Sequence, residues 1–458
     1  MPPTSPRSLG SASAGDDYLP TSGNGGYLVD HYDIDLDYRV ETNRLSASTV
    51  ISAHATEDLD RFSLDLAGLA VDKVTVGTER PRKVTHTARK LVITPLERIA
   101  AGEAFTVTVH YRGAPHPIRS EWGEVGWEEL ADGVLVASQP NGASSWFPCN
   151  DHPSNKATFH IAVTCESVYQ VISNGVEVSR TSRAGRARWE FDVADPMATY
   201  LATVQIGRYR ARQVNAEVPT TISYPNALSA QVAEDFGRLG EMIALFSERF
   251  GPYPFGSYGV IVTADELEIP LEAHGLAIFG RNHVDGDHGS DRLIAHELAH
   301  QWFGNSLTVT RWKDIWLHEG FACYAEWLWS EQSGAATAND CARTSWDLVN
   351  AQSKNIIVGD PGTTLLFDDR VYKRGALALH VVRRAIGDEA FFAALRELGS
   401  RLRFGHVTPP DVVDAFSGFG GSAAIEGIIT RWVYSKALPR LTRFSRGVGP
   451  RRSWRRCR

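Results

Sequence analysis

Two different periods of hydrophobic and polar residues divide the chain. From Tyr27 to about Gly207, short runs alternate between apolar and polar residues, as at 31–38 and 105–111, and are separated by Gly, Pro and Asn. Alternation with a period of two is typical of β-strands that bury one face. The pattern therefore predicts an all-β, sandwich-like N-terminal domain over residues 27–208.

Beyond this domain the hydrophobic period becomes that of helices. Residues 228–250 carry apolar side chains at helical spacing and end at Gly251, and a short strand is expected at 260–262. The predicted fold class is α+β, with the β domain followed by a mainly helical domain over residues 209–439. Further helices are predicted at 291–303, 315–331, 339–350, 371–386, 388–402, 409–417 and 423–435.

The two ends of the chain follow neither period. Residues 1–26 are rich in Ser, Gly and Pro, lack the apolar core of a signal peptide, and predict a disordered segment. Residues 440–458 contain eight arginines and no acid, which predicts a solvated Arg-rich tail. The whole chain has a formal net charge of −7, so the part before the tail is more acidic still. An acidic body argues against nucleic acid as a partner.

Cysteine usage and hydropathy bear on the compartment. The five cysteines are odd in number, widely spaced and free of any C-x-x-C pair, which favours buried thiols in a reducing compartment over a disulfide framework. No stretch approaches the roughly 18 apolar residues of a membrane span. The sequence thus predicts a cytoplasmic protein without a membrane partner, and it leaves the oligomeric state open.

The strongest chemical signal is an H-E-x-x-H motif formed by His296, Glu297 and His300. Residues four apart lie on one face of a helix, so both imidazoles can reach a single Zn²⁺ while Glu297 lies beside the metal-bound water. The alternative is a pair of structural histidines on an amphipathic helix. We interpret the motif as two zinc ligands and a general base.

A third ligand candidate strengthens the zinc interpretation. Eighteen residues separate His300 from Glu319, which stands at the start of another predicted helix. Two histidines and one glutamate form a three-ligand set that leaves a coordination position for water, whereas structural zinc sites are closed by four ligands, often thiolates. The expected cofactor is one Zn²⁺ per chain.

Glu326 follows Glu319 by seven residues and so points in nearly the same direction from a helix. It is a candidate to orient a ligand histidine through a hydrogen bond. The alternative is a solvent-facing acid, which helices commonly carry.

At this point the sequence resembles the zinc aminopeptidases of the aminopeptidase N and leukotriene epoxide hydrolase type. The resemblance covers about residues 27–439 and rests on the motif, on Glu319, and on three further segments. These are 316–322, where the family usually has Asn in place of His318, 139–153 together with 156–159, and 196–200. It implies a catalytic domain that is similar to thermolysin.

The resemblance also implies three residue roles that the residues alone do not. Glu272 stands where the family has the Glu of a Gly-x-Met-Glu-Asn loop, which binds the substrate's α-amino group; here Ile269 and Ala273 replace its Gly and Asn, and Pro270 has no N–H. Gln139 matches a second contact to the amine. Tyr372 matches the tyrosine of a Val-Tyr-x-Lys-Gly motif, with Arg374 in place of Lys, and implies a phenol that stabilises an oxyanion. Without the resemblance, these side chains would be surface or packing residues.

The expected function is hydrolysis of the N-terminal peptide bond of peptides with a free N-terminus, which releases single amino acids. A thermolysin-like endopeptidase, an epoxide hydrolase and a non-catalytic scaffold relative are the alternatives. Because the chain ends soon after the resemblance does, we expect a short form that lacks the family's C-terminal helical domain. Such a form predicts an open cleft and weak discrimination by peptide length.

Overall fold

The computed structural model of the protein describes residues 10–441, so the Arg-rich tail lies outside the described residues from position 442 onward. The chain forms two compact units. A β-rich N-terminal part precedes a helical part, which confirms the predicted fold class. The first unit consists of the chain up to Val214, Val218–Ala230 and Phe255–His283, and the second of Asn215–Glu217, Gln231–Pro254 and the chain from Val284 onward.

The strands of the described chain are numbered in sequence order. They are β1 Tyr27–Arg39, β2 Arg44–Ala55, β3 Phe62–Asp65, β4 Ala70–Val76, β5 Lys83–His86, β6 Lys90–Thr94, β7 Ala104–Gly113, β8 Ile118–Ser120, β9 Gly123–Leu130, β10 Gly133–Ala137, β11 Lys156–Glu166, β12 Gln170–Ser173, β13 Val176–Arg183, β14 Arg186–Ala198, β15 Val204–Gly207, β16 Tyr209–Val214, β17 Thr220–Pro225, β18 Tyr258–Val262, β19 Leu271–Ala273, β20 Leu276–Phe279, β21 Thr308–Val309 and β22 His406–Val407.

The largest sheet of the first unit has seven strands in the order β13-β14-β11-β1-β2-β7-β4. Strand β1 runs parallel to β11 and antiparallel to β2. Along β1, Ile34 and Leu36 are fully buried whereas Asp33 and Asp37 are exposed, as the alternating pattern predicts. The buried side chains of this sheet pack with those of β3, β6, β10, β12 and β15 in the main core of the first unit.

Two five-stranded sheets carry the candidate amine-binding residues. Gln139 follows β10, in the sheet β12-β15-β10-β9-β8. Glu272 lies on β19, the edge strand of the sheet β16-β17-β18-β20-β19, where β19 pairs antiparallel with β20. This last sheet belongs to the first compact unit. The expected domain boundary at 208/209 stays a prediction.

The helices of the described chain match the predicted helices closely. They are α1 Ser229–Asp235, α2 Leu239–Phe250, α3 Asp291–Ala299, α4 Trp316–Gln332, α5 Ala338–Ala351, α6 Asp369–Ile386, α7 Asp388–Arg401, α8 Pro409–Gly420 and α9 Ser422–Val433. Among residues 10–441, no helix combines the length and apolar composition that crossing a bilayer requires.

Two helices differ from their predicted bounds. The helix expected at 228–250 is divided into α1 and α2, and Gly237 lies in the break. The helix expected at 291–303 ends at Ala299, because the chain then turns through Gly304, whose φ of 131° is accessible to glycine but strained for other residues. The Ser290 side chain makes no capping hydrogen bond to α3.

Residues 10–26 differ from the predicted disorder, while residues 1–9 lie outside the described part of the chain. Asn24 is 4% exposed; its side-chain nitrogen donates to Asp65 at 2.8 Å, and its oxygen accepts from the Ser63 hydroxyl at 2.6 Å. Asp65 also forms a 2.7 Å ion pair with Lys90, and Asp16 lies 3.2 Å from His152. Hydrogen bonds and ion pairs with residues distant in sequence hold this segment in place within the first unit. Composition does not reveal such partners.

We expect Asn24→Ala to destabilise the protein by about 1–3 kcal/mol, because it removes the acceptor of the buried Ser63 hydroxyl and one of the hydrogen bonds to the buried Asp65 carboxylate. The midpoint of urea unfolding should fall accordingly. Asn226→Ala, at an exposed position, is the matched control and should change stability by less than about 0.5 kcal/mol. Equal midpoints for the two variants would contradict the structural role given to Asn24.

Candidate active site

Two helices of the second unit bring the three candidate zinc ligands together. Helix α3 carries His296 and ends beside His300, and α4 carries Glu319 in its first turn. The residues are 8%, 1% and 2% exposed, respectively. Because His296 and His300 are one helical turn apart, they face the same side, and their rings lie 4.8 Å apart between centroids.

The distances within this cluster suit a bound zinc ion. The Nε2 atoms of His296 and His300 lie 3.3 Å and 3.5 Å from Oε2 of Glu319. Two ligands about 2.0–2.1 Å from a tetrahedral zinc ion are about 3.3 Å apart. The potential ligand atoms of all three residues lie within 4.8 Å of one another. The residues present therefore fit a zinc site with two nitrogen ligands and one oxygen ligand.

The other ring nitrogens support the same interpretation. Nδ1 of His300 lies 3.0 Å from the carbonyl oxygen of Phe303, which can only accept, so Nδ1 carries the proton. Nδ1 of His296 lies 2.8 Å from Oε1 of Glu326. In the neutral rings both Nε2 lone pairs then face the Glu319 carboxylate, and a cation between these atoms removes the repulsion.

The electrostatics of the cluster also favour a positive charge at its centre. Burial lowers the pKa of His296, but hydrogen bonds that its ring donates to Glu319 and Glu326 outweigh burial and hold this pKa well above its usual value. Burial raises the pKa of Glu319, but the two histidines outweigh it and leave that pKa below its usual value. The acidic groups thus stabilise a cation among them.

Glu326 is buried, not solvent-facing, and has a second partner that sequence reasoning missed. The Arg292 guanidinium donates to both Glu326 oxygens at 3.1 Å. Arg292 stands four residues before His296 on α3 and so lies on the same helix face. This spacing is the signal that could have identified it.

Three glycines in close contact with the segments that carry the ligands were not identified from the sequence. A Cβ atom at Gly304 would lie 3.1 Å from Nδ1 of His300. A Cβ atom at Gly320 would lie 2.9 Å from Cα of Gly375, and one at Gly375 would lie 2.8 Å from Cα of Gly320. Helices α4 and α6 therefore approach backbone to backbone directly after Glu319.

Glu297 and Tyr372 lie beside the ligands. Glu297 is 4% exposed, and a carboxylate oxygen lies within 4.8 Å of an imidazole nitrogen of His300. The Tyr372 ring on α6 lies nearly parallel to the His296 ring, with centroids 5.9 Å apart and an angle of 19°. The positions are compatible with a general base and an oxyanion donor.

His318, where the resembling family usually has Asn, is fully buried next to Glu319. Its Nε2 accepts a 3.0 Å hydrogen bond from the backbone N–H of Val309. The imidazole thus connects β21 to the ligand-bearing turn of α4.

The candidate amine-binding residues Gln139 and Glu272 contact each other in the first unit. Nε2 of Gln139 donates to Oε1 of Glu272 at 2.6 Å, and both side chains are half-buried. Since the amide nitrogen is the donor, the amide oxygen is left as an acceptor. A carboxylate and an amide oxygen side by side are suitable partners for an ammonium group.

Replacing Glu326 by glutamine is expected to weaken zinc binding by about 10–100-fold, because the His296 ring loses a charged hydrogen-bond partner. Competition with a chromophoric chelator measures the affinity. Glu248→Gln, an exposed glutamate on α2, is the control for the charge change and should bind zinc like the unmodified protein. Indistinguishable affinities would show that Glu326 does not orient the ligand.

Comparison with known proteins agrees with this fold. Residues 29–201 match the profile described as the peptidase M1 N-terminal domain, and residues 235–432 match that of the peptidase family M1 domain. A crystal structure of a variant M1 zinc metallopeptidase from Deinococcus radiodurans, bound to a Tyr-Ser-Ala substrate, has a TM-score of 0.86 and 30% sequence identity. The match covers 94% of this chain and 99% of that one. The two-domain fold and the zinc-ligand motif define a metallopeptidase architecture. The chain belongs to peptidase family M1.

Curated relatives are longer. The leucyl aminopeptidase of Saccharolobus solfataricus is 26% identical over 67% of this chain and 42% of its own length. The tricorn protease-interacting factor F2 of Thermoplasma acidophilum is 23% identical over 90% of this chain and 54% of its own length. The chain thus spans about half the length of the curated relatives it matches.

Proposed function

We propose that this protein is a zinc-dependent aminopeptidase, which hydrolyses the first peptide bond of peptides with a free N-terminus and releases single amino acids. The observation that carries the proposal is the cluster of His296, His300 and Glu319, whose facing atoms are 3.3 Å and 3.5 Å apart. Membership of family M1 supports it. One Zn²⁺ per chain is expected, because these residues form one three-ligand set.

When bound, Zn²⁺ supplies Lewis-acid chemistry, which polarises the scissile carbonyl and acidifies water. Glu297 takes a proton from the attacking water and delivers it to the leaving nitrogen as the C–N bond breaks. Tyr372 donates a hydrogen bond to the oxygen on which negative charge develops. The products are a free amino acid and a peptide that is one residue shorter.

Restriction to the first peptide bond requires recognition of the substrate ammonium, which we assign to Glu272 and Gln139. Their 2.6 Å contact fixes the carboxylate and the amide relative to each other. A carboxylate that faces an ammonium forms a charge-assisted hydrogen bond, which an N-acetylated substrate cannot form. The proposal therefore predicts that hydrolysis depends on a free N-terminal amine in the substrate.

We also propose a cytoplasmic location. Support comes from the four described cysteines, which are free thiols; Cys149, Cys165 and Cys323 are buried. Free thiols are typical of reducing compartments.

The test compares initial rates on an aminoacyl anilide and its N-acetylated twin, each with and without a zinc chelator. Cleavage of the free form alone, abolished by the chelator and restored by added zinc, is expected. Cleavage of both forms would indicate an endopeptidase-like site. Cleavage of neither, across small, large apolar and basic residues, would favour a non-catalytic scaffold.

A further inference from the structure

Helix α6 carries a fully buried arginine whose guanidinium donates to backbone carbonyls. Arg374 is 1% exposed. Its Nη2 donates to the carbonyl oxygens of Ser435 at 2.6 Å and Trp432 at 2.8 Å. Longer contacts, of 3.4–3.5 Å, reach the carbonyls of Ile356, Lys436 and Ala437.

Burying this guanidinium is costly. Burial, followed by the nearby charge of Arg370, lowers the pKa of Arg374 to about 10. Among residues 10–441, no carboxylate forms an ion pair with it. The compensation comes instead from the carbonyls at the end of α9, where a helix presents its partial negative charge. A planar group with five donors binds several such carbonyls at once, which an ammonium with three donors does less well.

The segment that Arg374 binds is itself held in place. The Trp346 side chain donates to the Pro439 carbonyl at 2.7 Å, and the Gly359 N–H donates to the Val433 carbonyl at 3.0 Å. Residues 432–437, which we call the carbonyl segment, are therefore an anchored partner for α6.

A neighbouring face of the same turn of α6 is fixed as well. Gly375 touches Gly320 of α4 so closely that neither position has room for a Cβ atom. One turn earlier, the Arg370 guanidinium makes hydrogen bonds of 2.6 Å and 2.8 Å with both oxygens of Asp368, the N-terminal cap of α6. Tyr372 lies between these fixed points, with its ring over His296.

We propose that Arg374 is a positioning residue, which holds the turn of α6 that carries Tyr372 by binding the carbonyl segment. The link to catalysis rests on the proposed function, in which Tyr372 donates to the oxyanion. A shift of about 1 Å in such a donor lowers the rate by about 10²-fold. The buried arginine thus couples the end of α9 to the geometry beside the zinc ligands.

The first test is a double-mutant cycle with Arg374→Lys and Tyr372→Phe. Because the resembling family usually has Lys here, the single variant should fold and bind zinc normally. We expect Arg374→Lys to lower kcat about 10- to 100-fold with KM within about twofold, and to cause no further loss in the Tyr372→Phe background. Multiplicative losses would overturn the proposal, since Arg374 would then act independently of Tyr372.

The second test does not depend on activity. Hydrogen exchange of peptides that cover residues 369–377 should be at least about tenfold faster in Arg374→Lys, while the exposed variant Arg384→Lys on the same helix should exchange like the unmodified protein. Unchanged exchange in Arg374→Lys would overturn the proposal whatever the activity. If Tyr372→Phe is fully active while hydrogen exchange is faster in Arg374→Lys, Tyr372 has no catalytic role, but the structural part of the proposal, that Arg374 fixes this turn of α6, is supported.

Discussion

Replacing Glu297 by glutamine is expected to lower kcat by roughly 10²–10⁴-fold, because the amide cannot take a proton from water or pass it to the leaving nitrogen. Glutamine has the same shape, and Glu297 is not one of the three proposed ligands. Zinc content should therefore remain one ion per chain. Steady-state hydrolysis of an aminoacyl anilide, together with metal analysis of the same sample, measures both quantities.

The control for this substitution is Glu241→Gln, an identical change at an exposed position of α2. It should leave turnover unchanged. Near-normal turnover of Glu297→Gln with zinc bound would exclude Glu297 as the base. Loss of zinc along with turnover would instead place Glu297 among the groups that hold the metal.

Glu272→Gln is expected to cost about 2–5 kcal/mol of transition-state stabilisation on substrates with a free amine, because a charged partner of the ammonium is lost. That loss corresponds to a fall in kcat/KM of roughly 30- to 5,000-fold. Residual hydrolysis of the N-acetylated twin, far below the rate that would indicate an endopeptidase-like site, should not change, since this substrate has no ammonium. The ratio of the two rates is therefore the measurement that isolates recognition of the amine.

Glu268→Gln is the matched control, because Glu268 is an exposed acid in the same segment of the chain. It should keep the preference for free amines. If Glu272→Gln lowers the rates on both substrates equally, Glu272 has no selective contact with the amine. If neither rate falls, Glu272 does not contribute to recognition of the ammonium, and other groups must bind it.

The parts of the candidate site that could be predicted are those whose geometry depends on residues close in sequence. His296 and His300 are one helical turn apart, so their common face follows from the period of a helix. The roles of Glu272, Gln139 and Tyr372 rested on resemblance and remain predictions. For Glu326, seven residues from Glu319, the sequence indicated a ligand histidine as the partner, but neither which histidine nor the second partner, Arg292.

The sequence failed where a segment has no period of its own. Residues 10–26 are rich in Ser and Gly, and their composition predicted disorder, yet Asn24 is buried. Its partner Asp65 stands 41 residues away, and the partner of Asp16 stands 136 residues away. From the sequence alone, an isolated Asn or Asp is interpreted as a surface residue, because its hydrogen-bond partner becomes known only from the fold.

By itself, then, the sequence determined the order of the β-rich and helical parts, the helices to within a few residues, and the two histidines of the motif, because periodicity and helical spacing are properties of a few neighbouring residues. Only the tertiary structure decided which groups face Nδ1 of each histidine, that Gly320 meets Gly375, and that Arg374 points into residues 432–437. These contacts join elements distant in sequence, and their energies depend on distance and burial, which no local pattern records.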